Sequence, residues 1–511
     1  MRGFPKPAPA DGLLLAPGDV ARLDRLAVEG GTPGHVLMER AGTAVARTIT
    51  ARYARRPVLV ACGPGNNGGD GWVVARLLRA AGWEVEVTSL VPPSSLAGDA
   101  RAAADGWDAS WVPPTELSPV AARLVVDALF GAGLARDVDG AAARLIEQIN
   151  TGSGPVVAVD IPSGIDGATG SIRGMAVRAD VTVTFVRAKP GLVLLPGRIH
   201  AGEIVAADIG IEERHLSALG GQMSIDLPCR WRRLLPRRDL LSHKYTMGHA
   251  LVVGGPAHAT GAARMTASTA LRIGAGLVTV AVDPDAVAIY AAGQVDLMTV
   301  PLPDEEALDR LLADARRNAV AIGPAAGIGE RTRDRVRRIL AAGKRIVLDA
   351  DALTSIAPCE QPLGGDAVLT PHQGEFARLF PGLQGARIER AMAAAAQSGA
   401  VVILKGADTV VASPDGRATI LDLAAPALAT AGAGDVLTGA VLGLLAQGMP
   451  SFEAAAAAVR LHAEAGAMLS TGLTAADLPS AIGRRLAAHS AAPPFAGPGF
   501  GTHGLTGSGF I

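Results

Sequence analysis

Short β-branched runs alternate with alanine-rich helical stretches along nearly the whole chain, and the series is laid down twice. Strands buried on both faces read as continuous apolar runs, so this rhythm belongs to parallel sheets covered by helices. In the first series strands are expected over residues 57–61, 84–90, 124–127, 155–160 and 181–185. Helices are expected over 19–27, 36–54, 72–81 and 141–150. The second series starts near His249, with strands over 250–253, 277–280, 319–322, 345–348, 367–369, 401–404 and 409–412. A basic, proline-containing stretch lies between them, including Pro228, Arg232, Arg233 and Pro236. The organisation read from this is an open doubly wound α/β domain over 1–225, a second α/β domain over 226–490, and a Gly/Pro-rich tail over 491–511 expected to be disordered.

Composition narrows the class of partner. Lys plus Arg number 47 and Asp plus Glu 48, a net charge of −1, which excludes a broad basic surface for nucleic acid or anionic lipid. Cys62, Cys229 and Cys359 are far apart and form no CxxC pair, which fits a reducing compartment and gives neither a zinc nor a disulfide framework. The first residues lack an apolar signal region, and no stretch approaches about 20 uninterrupted apolar residues. A cytoplasmic protein acting on small molecules is expected, assembled as a homo-oligomer.

Chemistry gathers at strand ends. Gly63-Pro64-Gly65-Asn66-Asn67-Gly68-Gly69-Asp70-Gly71 follows the first strand, and two of the chain's four asparagines stand side by side in it. Glycines let backbone amides approach a ligand, and a helix start adds partial positive charge; a tight strand-to-helix turn is the plainer alternative. Asp127 ends a strand that runs into Phe130-Gly131-Ala132-Gly133-Leu134-Ala135-Arg136-Asp137, and Asp160 ends one that runs into Ile161-Pro162-Ser163-Gly164. Ligands of open α/β sheets sit beyond such carboxyl ends, although either aspartate could serve only as a helix cap. Lys189 is one of five lysines in the chain, which sets it apart from a routine surface charge.

These residues resemble the NAD(P)H-hydrate epimerase family, whose likeness covers roughly residues 15–220. The resemblance implies a Rossmann-like fold and interconversion of the R and S forms of NAD(P)H hydrated at nicotinamide C6. It implies that Asn66 to Asp70 (with Asn67, Gly68 and Gly69) and Gly131 to Asp137 hold the hydrate. Asn67, Asp127 and Ser163 would ligate potassium, and Asp160 would meet the nicotinamide end. Inverting a carbinolamine-like carbon needs proton transfer or reversible ring opening, and Asp160 with Lys189 is the candidate acid/base pair.

The second half has its own anchor in Ala427 to Gly439, which contains Thr430-Ala431-Gly432-Ala433-Gly434-Asp435. Glycines at a helix start can hold a transferring phosphoryl group, and an adjacent aspartate can take the proton of an attacking hydroxyl. Leu404-Lys405-Gly406-Ala407-Asp408-Thr409, Thr370-Pro371-His372-Gln373-Gly374-Glu375, Gly323 to Gly327 and Asp349-Ala350-Asp351 follow other strands on the same rim.

With HKYTMGH and LDADAL, these motifs look like the ADP/ATP-dependent NAD(P)H-hydrate dehydratase family of the ribokinase-like fold, over about 235–485. The resemblance implies phosphorylation of the C6 hydroxyl, loss of phosphate and return of the double bond. By it Ala262, Gly327, His372 and Asp435 would contact the hydrate. Lys405, Gly406, Ala407, Asp408, Thr409 and Gly434 would contact the nucleotide. Asp435 would be the base, with the Gly432 and Gly434 amides stabilising the phosphoryl group. Magnesium is expected with ADP or ATP from phosphoryl-transfer chemistry, and potassium at the first site from resemblance. The chain departs from the family pattern at Tyr245-Thr246, at Ala325 (usually glycine) and at Ala425-Pro426-Ala427, which bears on nucleotide preference. Other readings are a ribokinase-like vitamin kinase with an accessory domain, or a metabolite sensor built from inactive domains.

Overall fold

The computed structural model describes residues 12–490 apart from 118, 119, 121, 220, 221, 470 and 471. The 491–511 tail lies outside the described residues. The first sheet is made of β1 (Val58–Cys62), β2 (Val85–Ser89), β3 (Leu124–Ala128), β4 (Val156–Val159), β5 (Val181–Phe185) and β6 (Glu203–Ala207). All pair in parallel, in the order β2-β1-β3-β4-β5-β6. Alternation along a strand sends side chains to opposite faces. Val58, Val60 and Cys62 accordingly join the core under the helices Pro17–Glu29, Gly34–Arg52 and Asn66–Ala80, whereas Leu59 and Ala61 pack with the helix Gly140–Thr151 on the other side. The strand order reverses at β1, with β2 on one side and β3 on the other, which opens a crevice beyond their carboxyl ends.

The second sheet holds β7 (Met223–Ile225), β8 (His249–Val253), β9 (Leu277–Val282), β10 (Met298–Pro301), β11 (Arg317–Ile322), β12 (Arg345–Leu348), β13 (Ala367–Leu369), β14 (Val401–Leu404), β15 (Val410–Ala412) and β16 (Ala418–Ile420). Its order is β10-β9-β8-β11-β12-β13-β14-β15-β16-β7, with only the β14–β15 and β15–β16 pairings antiparallel. Helix Ala433–Ala446 lies in its core and is buried on nearly every side, as expected of a helix that is apolar all round. A Cβ on Gly439 would stand 2.2 Å from the Thr266 carbonyl oxygen, and one on Gly443 2.3 Å from Ile273 Cγ2. Those two glycines therefore let this helix lie directly on Gly261–Arg272, and Thr266 Oγ1 donates 3.0 Å to the Asp435 carbonyl.

The halves are joined by more than a linker. β7 falls before the expected junction at 225, yet it pairs with β16 of the second sheet. Residues 12–15 then bridge outward: Ile225 N donates to the Gly12 carbonyl at 2.7 Å, Leu14 N to Met223 at 3.0 Å, and Leu15 N to Ala188 at 3.0 Å. Leu192, Val193 and Leu194 of the first half share one apolar core with Val410, Ala412 and Ile420 of the second. Among the described residues no helix is long and apolar enough to cross a membrane.

Candidate functional site

The crevice of the first sheet opens into a cavity of about 980 Å³. Its walls include Asn66, Asn67, Asp70, Gly131 to Arg136 and Asp160, all singled out in the sequence; Asp137 falls outside the lining. One local expectation is corrected. The helix begins at Asn66, not at Trp72, so Asn66 to Asp70 form its first turns and not a loop. Gly68 and Gly69 are absent from the lining. A Cβ on Gly68 would stand 2.0 Å from the Gly63 carbonyl oxygen, and one on Gly69 2.6 Å from Met38 Cε. Glycine is a poor helix former, which hid the helix start; close packing explains both residues.

Lys189 is fully buried, and its ammonium donates to Asp160 Oδ1, to Thr184 Oγ1 at 2.9 Å and to the Phe185 carbonyl at 3.2 Å. Three acceptors satisfy its three donors, which is what makes such burial tolerable. Asp160 Oδ2 also accepts from Ala132 N at 3.4 Å. Nearby, Asp127 is completely buried and accepts only from neutral groups: Ser163 N at 2.8 Å, Ser163 Oγ at 2.6 Å and Leu129 N at 3.3 Å. Burial pushes its carboxyl up to about 6. Asn67 leaves its amide nitrogen buried with no partner.

Sequence reasoning missed the contribution of the helix Pro17–Glu29, which presents Pro17, Val20, Ala21, Asp24, Val28 and Glu29 to the cavity. Its helical spacing was legible, but nothing local says which body the outward face covers. Burial raises the Asp24 carboxyl, with Lys189 opposing and Asp160 reinforcing. Asp70 is held well above the ordinary carboxylate range by burial and by the charges of Asp160 and Asp24.

In the second sheet Gly432 takes a left-handed φ of 91° and starts the helix that carries Gly434 and Asp435. Lys405 donates 2.8 Å to Asp349 Oδ1, and Thr438 Oγ1 holds Asp349 Oδ2 at the same distance. A Cβ on Gly434 would be 3.5 Å from Lys405 Nζ, so the ammonium sits against the glycine turn. Burial first, and the Asp349 carboxylate second, raise Asp435 to about 6. His372 starts a neighbouring helix and is exposed; its Nδ1 accepts from Gly374 N at 2.9 Å, and Glu375 Oε2 accepts from the His372 amide at 2.8 Å. Gly327 N donates 2.9 Å to Asp351, and Ala262 lies in the first turn of Gly261–Arg272.

The expected nucleotide segment divides. Thr409 Oγ1 closes the turn by donating 2.6 Å to the Gly406 carbonyl. Asp408, however, is buried against Arg387 at 3.3 Å and accepts from Leu195 N of the first half at 3.0 Å. The Ala407 carbonyl accepts from Arg198 at 3.2 Å. The Asp408 carboxylate and the Ala407 carbonyl are thus engaged in the contact between the halves. Ala425, Ala427 and Thr430 line a second cavity of about 610 Å³. Tyr245 is exposed, with Lys244 and Arg316 over its ring.

Among the described residues, the non-glycine positions with positive φ are Asp160 (66°), Val186 (65°), Ala325 (59°) and Ala350 (45°). Each stands within three residues of the end of a parallel strand, at one of the two rims. Such strain concentrates where function dictates backbone shape. Ala325 is the departure noted above, and its methyl occupies a conformation that glycine adopts freely. Ala325→Gly is expected to stabilise the chain by about 1 kcal/mol, read as a higher urea midpoint at unchanged slope; an unchanged or lower midpoint would refute the strain.

Residues 34–191 match the family described as YjeF-related protein N-terminus, and residues 250–487 match the family described as NAD(P)H-hydrate dehydratase. A bifunctional NAD(P)H-hydrate repair enzyme of Moorella thermoacetica is 40% identical over 486 residues, spanning 89% of this chain and 92% of its own. The enzyme of that name in Escherichia coli is 34% identical over 490 residues, spanning 91% and 92%. A solved ADP/ATP-dependent NAD(P)H-hydrate dehydratase from Bacillus subtilis, co-crystallised with ATP and magnesium, is 30% identical; it overlaps 52% of this chain and 98% of its own, at a TM-score of 0.45.

Proposed function

Since this chain belongs to the bifunctional NAD(P)H-hydrate repair enzymes, we propose that its two rims divide the work as their side chains suggest. The enzyme epimerises the R and S hydrates of NADH and NADPH and dehydrates the S form at the expense of ADP or ATP. The first cavity takes the hydrate, with Asn66, Asn67, Asp70 and Gly131 to Arg136 around it and Asp160–Lys189 moving protons at the nicotinamide end. Asp127, Ser163 and Asn67 would hold potassium. A fully buried carboxylate served only by neutral donors calls for a cation, and the Ser163 hydroxyl and the Asn67 side-chain carbonyl are hard oxygen donors of the kind that suit an alkali ion. That ion would supply compensating charge beneath the hydrate.

At the second rim Asp435 removes the proton of the C6 hydroxyl as its oxygen attacks the terminal phosphorus. The Gly432–Gly434 turn receives the transferring group, with Lys405 held against it by Asp349. Phosphorylation turns hydroxide, a poor leaving group, into phosphate; its departure with a ring proton restores the double bond. Magnesium with the nucleotide follows from the charge of the phosphates. The observation that carries the assignment is a partly buried carboxyl at the mouth of a glycine turn whose far side is an ammonium. The three unpaired cysteines fit a cytoplasmic setting.

The test mixes both hydrate epimers with purified protein, magnesium and ADP or ATP, in potassium or in tetramethylammonium salt. Full recovery of reduced-nicotinamide absorbance with equimolar phosphate is expected in potassium, and consumption of the S form alone in tetramethylammonium. A stable phosphorylated product would indicate a kinase, and equal epimerisation in both salts would remove the potassium site.

A further inference from the structure

Inversion at C6 by loss and re-addition of water requires proton chemistry on both faces of the ring. An acid protonates the C6 hydroxyl, which leaves as water while the N1 lone pair forms the N1=C6 bond. Water then adds to C6 from the other face and gives its proton to a base there. One proton is supplied and one is accepted, and the reverse reaction uses the same two groups in exchanged roles. Asp160, backed by Lys189, comes from a strand end and can serve the ring face turned that way.

We propose that Asp24 is the second catalytic residue of epimerisation, serving the ring face turned toward the helix Pro17–Glu29. The inference rests on the reading of this cavity as the epimerisation site. Asp24 lines the cavity from a different element than Asp160. Among the described residues its carboxyl has no hydrogen-bond or ion-pair partner, although it is half-buried. Its neighbours in the field are Asp160, Asp70 and Lys189, with Arg25 and Glu29 on its own helix. Burial raises its carboxyl, which favours a group able to carry a proton as well as accept one. Asp70 is also unpartnered among the described residues, but it lies at the start of the helix that follows β1, on the strand-end side with Asp160.

The experiment follows separation of the epimers without nucleotide, using the full-length chain. Asp24→Asn is expected to lower kcat for epimerisation about 100-fold or more with KM within about threefold, while dehydration of the S form keeps its wild-type rate. Asp24→Glu is expected to recover part of kcat. A kcat within about threefold of wild type in Asp24→Asn, or a change confined to KM, overturns the assignment. Asp160→Asn is run beside it: full rate there defeats the reading of the cavity, whereas loss there with full rate in Asp24→Asn defeats only Asp24. A measurement on the wild-type enzyme is independent of variant folding. Epimerisation in water enriched in oxygen-18 is expected to place solvent oxygen at C6 with each inversion, and inversion without it overturns the two-face route.

Discussion

Asp435→Ala is expected to reduce dehydration by about 10³-fold, within the usual range for losing a general base, and to leave epimerisation at its wild-type rate. The side chain stands at the mouth of the Gly432 turn, and the neighbouring Asp349 carboxylate is already committed to Lys405 and Thr438. The pH profile carries the same claim. The active form is the carboxylate, and burial with the Asp349 charge places its titration at about 6. The kcat/KM for dehydration should therefore be flat above that pH and fall tenfold per unit below it, and the limb should vanish in the residual activity of Asp435→Ala. Loss of both activities in this variant would contradict separate sites, and an unchanged dehydration rate would remove the base.

The second large effect is at Asp160. Replacement by Asn should lower epimerisation by about 10²–10⁴-fold while dehydration of the S form continues. Progress curves with nucleotide would then stall with the R epimer left over. Stability should fall as well, because the wholly buried Lys189 loses the carboxylate it is ion-paired with, and breaking such a pair costs roughly 3–5 kcal/mol. Lys189→Met in the Asp160→Asn background removes the stranded charge and should recover much of that stability without recovering epimerisation. Stability unchanged in Asp160→Asn, or activity regained in the double variant, would contradict the role of the pair.

The central strands were legible because burial on both faces leaves them no choice but apolar, β-branched residues; β5, β12, β13 and β14 fall on their expected bounds. β6, β7, β10 and β16 were not. β6 and β7 are edge strands of mixed character, and β10 exposes Met298 and Pro301. Among the candidate site residues, Lys189 and Asn67 were visible as scarce residue types near strand ends. The helix start at Asn66 was hidden because Gly68, Gly69 and Gly71 argue locally against a helix, and only their crowding by Gly63, Met38 and Ala128 explains them. Asp24 and the contact of Asp408 with Leu195 carried no local sign, since both depend on what a distant segment brings alongside. The left-handed backbone at Val186 is similarly opaque, because β-branched residues seldom adopt it.

The strap formed by residues 12–15 and β7 sets synthesis against assembly. A ribosome delivers Met223–Ile225 long before Ala418–Ile420, the strand that β7 must lie beside. Until that partner emerges, the nascent chain carries an open ribbon edge of the kind that recruits other chains, and only the antiparallel bridge to Leu13 covers its other side. Translation stopped short of residue 418 leaves that edge without its cover.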